Sequence, residues 1–134
     1  PEPLGFSVRL GAQFPFRADR TSVRVIAAFQ PPAIRELLVT EMIEQSLTRR
    51  VSRKSMSARL DALRAQGFEE APSDTVQGIV DVAFPIFDGM HPGAIASLNM
   101  PYLTQRDAHM TRSQARRLLS HTARSISKAL GAVN

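Results

Sequence analysis

The stretch Gly78–Leu103, GIVDVAFPIFDGMHPGAIASLNMPYL, constrains the fold of this chain more than any other. Two apolar runs flank a loop rich in glycine and proline, which reads as a hairpin. Side chains alternate across a strand. In Val80–Phe87, positions 81, 83, 85 and 87 therefore share one face, and in Gly93–Met100 so do Ile95, Ser97 and Asn99. Pairing Phe87 with Gly93 places Asp81 opposite Asn99, with Cβ atoms about 4.5–5.5 Å apart. Burying either polar group without a partner costs on the order of 1–3 kcal/mol. They satisfy each other or stay solvated, or else they meet a small polar ligand among apolar walls. Pattern alone leaves both readings open.

A hairpin needs a cover. The final segment supplies one: over Arg112–Leu130, residues Ala115, Leu118, Leu119, Ala123, Ile126, Ala129 and Leu130 form an apolar helical face. Thr111 and Gln114 make a capping box, and Gly131 a C-cap. The helix also carries Arg112, Arg116, Arg117, Arg124 and Lys128, which read as a solvated face.

Upstream, Gly5–Leu10 alternates as a half-buried strand, and Arg17–Arg20 is a charged loop. Thr21-Ser22 can cap the next segment, because a hydroxyl accepts a bond from a free first-turn N–H. Val23–Phe29 is apolar apart from Arg24 and suits a buried helix or a strand equally. After Pro31-Pro32, a helix over 33–44 aligns Ile34, Leu37, Leu38 and Met42 in one stripe. Glu44–Ser55 reads as a polar connection. A helix from Ser55 then places Met56, Leu60 and Leu63 together and ends at Gly67 in the left-handed conformation. Phe68–Asp74 is polar, with Pro72 excluded from a central strand. The order strand, helices, strand, strand, helix predicts an α+β domain with an antiparallel sheet flanked by helices.

The 134 residues suit one domain with a real core, and the absence of cysteine excludes disulfides and thiol chemistry. The net charge of +5 raises nucleic-acid binding, but basic residues cluster only at Thr48–Lys54, and no Trp and one Tyr leave few stacking platforms. No apolar run approaches the ~18 residues of a membrane span, and Pro1–Leu10 lacks the pattern of a signal peptide. His91, His109 and His121 have no metal-ligand spacing, and no nucleophile elbow or phosphate-binding glycine motif occurs. His109 beside Asp107 reads as a solvated pair. No catalysis, cofactor or metal is expected.

A set of segments nonetheless carries a resemblance. Gly67-Phe68, Ser73–Asp88 (SDTVQGIVDVAFPIFD), Ala94–Leu103 (AIASLNMPYL) and Ile126–Gly131 look like the C-terminal effector-binding domain of the isocitrate-lyase-regulator (IclR) family of bacterial transcription factors. Val8–Gly11, Phe14–Phe16 and Thr21–Phe29 resemble the family's Pro-containing strand end and the start of its helix. The resemblance implies a GAF-like, profilin-like ligand sensor over 1–134, without the family's N-terminal winged helix-turn-helix or the sensor's first strands and helix.

It further implies a cytoplasmic homodimer or tetramer that meets DNA only through that separate domain. The effector would be a small metabolite, a carboxylate or aromatic compound. By position, the ligand contacts carry over to Thr21, Ser22 and Val23, then Asp81 and Asn99. Where the family usually has glycine, Val23 adds a branched side chain that narrows the approach to the backbone. The expected function is effector sensing and oligomerisation coupled to DNA binding. The alternatives are a ligand-free oligomerisation domain and a basic nucleic-acid-binding module.

Overall fold

A computed structural model describes residues 9–46, 51–74, 76–104 and 109–133. Helices α1 (Thr21–Ala28), α2 (Pro32–Glu44) and α3 (Arg53–Gln66) precede strands β1 (Glu69–Pro72), β2 (Ile79–Ile86) and β3 (Ala96–Leu103), and α4 (Arg112–Ala129) closes the order. The three strands form an antiparallel sheet in the order β1-β2-β3. The fold is α+β, as expected. Most of the strand expected at residues 5–10 lies outside the described residues; Leu10 sits in a turn, fully exposed.

At α2, α3 and α4 the local signals are met by physical partners where the elements begin or end. Pro32 occupies the first turn of α2, where its missing N–H costs nothing. Helix α3 starts two residues before the expected Ser55, because the Ser52 hydroxyl accepts from the Ser55 N–H at 3.0 Å. It ends where Gly67 turns to φ +94°, a conformation costly for any residue with a Cβ. The Thr111–Gln114 capping box is complete in both directions.

The sheet separates two cores. Even-numbered residues of β2, namely Val82, Phe84 and Ile86, pack with Ala123 and Leu119 of α4. Phe68 stacks on Phe84 at 4.9 Å between centroids. On the opposite face Ala83 joins Val25, Ala27, Ala28, Val39, Met42 and Leu60 from α1, α2 and α3. Strand β2 is thus covered on both sides, which is why its sequence runs almost continuously apolar. Helix α1 lies in that buried layer, and the helix-or-strand ambiguity of Val23–Phe29 resolves to helix.

Four expectations need correction. Strand β1 was not foreseen: Glu69-Glu70-Ala71-Pro72 carries no strand pattern of its own and is extended because it pairs along the edge of β2. The Thr21-Ser22 cap does not form; Arg20 is the N-cap, without a side-chain bond, and Thr21 is the first helical residue. The α2 stripe is misplaced, since Val39 and Met42 are buried while Leu37 is 72% exposed. The inward row of α4 is Ala115, Leu119, Ala123 and Ser127, leaving Leu118, Ile126 and Leu130 partly or largely exposed.

The hairpin loop links the two helical layers. The Ala94 N–H donates to the Phe29 carbonyl at the end of α1, and the Gln30 side chain donates to the Ala94 carbonyl. At its other end the Gly89 N–H donates to the Leu130 carbonyl beyond α4. Ser127 of α4 closes the junction by accepting from the Phe87 N–H at 3.0 Å. With the Phe87 N–H committed to Ser127 and the ladder ending at Ile86–Ala96, Phe87 and Gly93 do not pair with one another.

Candidate ligand-binding site

The loop anchoring sets the strand register. Asp81 pairs with Pro101, and Asn99 with Ala83, so the expected direct opposition of Asp81 and Asn99 is corrected by a register shift of two residues. A two-residue offset preserves the face. Asp81 and Asn99 are diagonal neighbours, typically ~7–8 Å apart, on the side of the sheet that faces α1. Glu69, paired with Ala83, points to the same side.

Between this face and the start of α1 lies a cleft of about 210 Å³. Asp19, Arg20, Thr21 and Ser22 form one wall, Asp81, Asn99, Ile79 and Pro101 the sheet wall, and Ser73 and Val76 the rim. Thr21, Ser22, Asp81 and Asn99 are thereby brought together from three separate stretches of chain. Val23 is not part of the lining; it is 6% exposed and packs into the α1–α3 core.

Thr21 joins the cleft to the interior. Its hydroxyl donates to Asp81 Oδ2 at 3.4 Å, a long bond, and accepts from Arg24 Nη2 at 3.2 Å. Arg24, fully buried in α1, gives its Nε to both oxygens of Glu69 and its Nη1 to the Ala18 carbonyl and Asp74. Arg59 of α3 completes the group by donating to Glu69 Oε1. Burial of so many charges is tolerable only because each meets an opposite charge and a hydrogen bond.

Arg20 adds a cation. Its guanidinium lies over the Phe14 ring at 4.5 Å, and its Nε is buried without a hydrogen-bond partner. The first-turn N–H groups of an α-helix have no intrahelical partner and favour negative charge. The start of α1 therefore presents a polar wall of mixed charge, Arg20 and the first-turn N–H groups beside Asp19, to the carboxylate and amide side chains of the sheet. Among the described residues no cluster of His, Asp and Glu could hold a metal ion, and no helix is long and apolar enough to cross a membrane.

The family model for the C-terminal region of the bacterial transcriptional regulator IclR matches residues 5–128. The chain belongs to the IclR C-terminal family. Among solved structures, the IclR of Thermotoga maritima aligns with a TM-score of 0.77 at 19% identity, covering 98% of this chain and 53% of that one. HmgR of Pseudomonas aeruginosa aligns with a TM-score of 0.69 at 22% identity, over 92% and 48% of the respective chains. An IclR homologue of Microbacterium hydrocarbonoxydans, complexed with 4-hydroxybenzoate, gives 0.70 at 19% identity over 96% and 51%. These likenesses show a common fold, and the chain spans about half the length of these structures. No curated protein matches it.

In this IclR C-terminal domain, Arg20 and Arg24 escaped the sequence reading as site residues. Arg24 did carry a signal: it is the one charge in the otherwise apolar run Val23–Phe29. A lone arginine in a buried helix must find acids, and they lie 45 and 50 residues away at Glu69 and Asp74. Arg20 carried none, because a charged loop reads the same whether or not it borders a cleft.

Proposed function

We propose that this chain is the effector-sensing part of an IclR-type transcriptional regulator. A small metabolite, a carboxylate or an aromatic compound, seats in the cleft between Thr21-Ser22 and the Asp81–Asn99 face. Occupancy biases the arrangement of dimeric or tetrameric sensor domains, and with it the winged helix-turn-helix domains that the family places N-terminally. The observation carrying this reading is the convergence of four polar side chains, Thr21, Ser22, Asp81 and Asn99, on one cleft lined by apolar residues as well. Membership of the family and the 4-hydroxybenzoate complex of a structural neighbour support it.

The direct nucleic-acid reading loses ground on the same structure. Arg17, Arg24, Arg35, Arg53, Arg59, Arg112 and Arg116 all pair with carboxylates of this chain, so these side chains are not free to track a phosphate backbone. A ligand-free oligomerisation domain is favoured by one feature, the exposed Leu118 and Ile126 of α4 with Leu130 at its C-cap.

A thermal-shift screen of carboxylates and aromatic metabolites separates the readings, since a ligand that binds only the folded state raises Tm by mass action. One chemical class should stabilise the protein, and Asp81→Ala and Asn99→Ala should remove that stabilisation and blunt induction in the full-length regulator. Absence of any stabilising class, with both variants silent in induction, would leave oligomerisation alone. The coupling is allosteric only if the two arrangements bind effector with different affinity.

A further inference from the structure

Helix α4 carries no acidic residue from Arg112 to Ala129. Ser120, Arg124 and Lys128 recur at every fourth position and so stand in one row along it. Among the described residues none of the three side chains has a hydrogen-bond or ion-pair partner, whereas Arg112 and Arg116 at the other end of the helix share Glu70. Like charges four residues apart repel one another. Lys128, in the last turn, answers the negative end of the helix, but that effect fades within a turn and does not reach Arg124.

The row borders a second cavity, of about 470 Å³, where the end of β2 meets α4 and the C-cap of α1. Phe84, Phe87 and Phe29 line it, the last two edge to face with centroids 5.8 Å apart. Asp19 and Asp81 border the first cleft, but among the described residues no carboxylate lines this one. Its volume lies within the roughly 300–1,000 Å³ of small-molecule sites.

We propose that this cavity is a second small-molecule site, for a phosphate monoester carried on an aromatic ring. Phenylalanine walls alone would take a neutral ring. Two unanswered cations one turn apart call for about two negative charges in a single group, and a carboxylate brings one. A phosphate monoester brings about −1.5 to −2 at neutral pH with three acceptor oxygens. Arginine binds such a group through paired N–H donors and lysine as a point charge. The ring then packs edge or face against the phenylalanines. This cavity shares no lining residue with the cleft at Thr21-Ser22, so the inference stands apart from the effector reading.

Isothermal titration of the full-length protein with phenyl phosphate, benzoate, inorganic phosphate and benzyl alcohol tests it. At neutral pH phenyl phosphate binds about tenfold or more tightly than each of the others, the range of a hydrogen bond to a charged group. Its affinity falls as pH drops through about 6, where the second phosphate ionisation is lost. Arg124→Gln and Lys128→Gln, both at exposed positions, each weaken it about tenfold, while Asp81→Ala in the other cleft leaves it unchanged. Benzoate binding as tightly as phenyl phosphate would overturn the inference in favour of a monoanion site, and inorganic phosphate doing so would reduce the cavity to a bare anion patch. Affinity that survives the Arg124→Gln/Lys128→Gln double variant, or is lost in Asp81→Ala, places the ligand elsewhere and overturns it as well. So does the absence of any binding by phenyl phosphate.

Discussion

Arg24 Nε lies 2.9 Å from both carboxylate oxygens of Glu69, and neither side chain is more than 8% exposed. This pair joins α1 to the edge strand β1, and its second acid, Asp74, is more open to water. Removing one member strands a charge in the interior, which typically costs about 3–5 kcal/mol. Removing both costs far less.

Glu69→Ala and Arg24→Met should each lower stability by roughly 3 kcal/mol or more, whereas the double variant should fall well short of the sum. Urea denaturation of the four proteins closes the cycle. Additive losses would mean that the two side chains act independently, against the geometry.

Thr21 stands between this interior pair and the cleft. Thr21→Val keeps the shape of the side chain while cutting both the bond to Asp81 and the one accepted from Arg24 Nη2. The donor left unsatisfied should cost about 1–3 kcal/mol, and ligand affinity should change as well. Denaturation and titration of the same variant would separate the two effects. An unchanged affinity would show that Asp81 does not depend on Thr21 for its position.

The loop glycines admit no side chain. A Cβ on Gly89 would come within 2.5 Å of the Gly131 carbonyl oxygen, and one on Gly93 would meet the Gln30 amide and lie 2.9 Å from the Phe29 carbonyl oxygen. Gly89→Ala and Gly93→Ala should each cost about 1–3 kcal/mol by overpacking. Gln30→Ala should relieve Gly93→Ala only in part, because the backbone oxygen remains. Full rescue in a melting experiment would place the clash wholly on the side chain.

Asp88 gives the stability a pH dependence. A hydrogen bond with the His91 ring, more than those from the His91 and Met90 N–H groups, holds its carboxyl below the ordinary value of 3.8 against the opposing effect of burial. A lowered folded-state pKa stabilises above the unfolded value and loses that contribution as pH falls through the folded one. The advantage of the wild type over Asp88→Asn should therefore shrink on acidification below about pH 4. Melting temperatures followed down to acid pH would test it, and curves that stay parallel would show that the Asp88–His91 pair adds nothing.

The features read correctly from the chain are those whose causes are short-range. Gly67 ends α3, Pro32 opens α2 and Thr111–Gln114 cap α4 through atoms a few residues apart. The errors share a different cause. Strand β1 exists through its pairing with β2, and the Thr21 hydroxyl donates to Asp81, 60 residues away, instead of capping its own helix. The register of the hairpin was missed because Gly89 and Ala94 are anchored to α4 and α1, which no turn rule can see.

The site divides along the same line. Alternation along the strands was enough to put Asp81 and Asn99 on one face, and it survived the register error because the shift was even. That Thr21 and Ser22 belonged opposite them came from the family resemblance, not from periodicity. Val23, carried over with them, packs instead into the core. Arg20 needed the fold itself, since nothing in Arg17–Arg20 distinguishes the residue that borders the cleft.

Strand β3 pairs with β2 and forms one outer margin of the described sheet. Over its eight residues, Ala96–Leu103, it carries no charged side chain, and only Pro101 lacks an N–H. Proteins usually guard such a margin with lysines, bulges or a covering segment, because a bare one templates the addition of another strand. For this chain in isolation, solubility then becomes a question of concentration. Light scattering should rise with protein concentration, and a lysine at Leu103, exposed at the end of β3 and outside the cleft, should suppress it without disturbing either core.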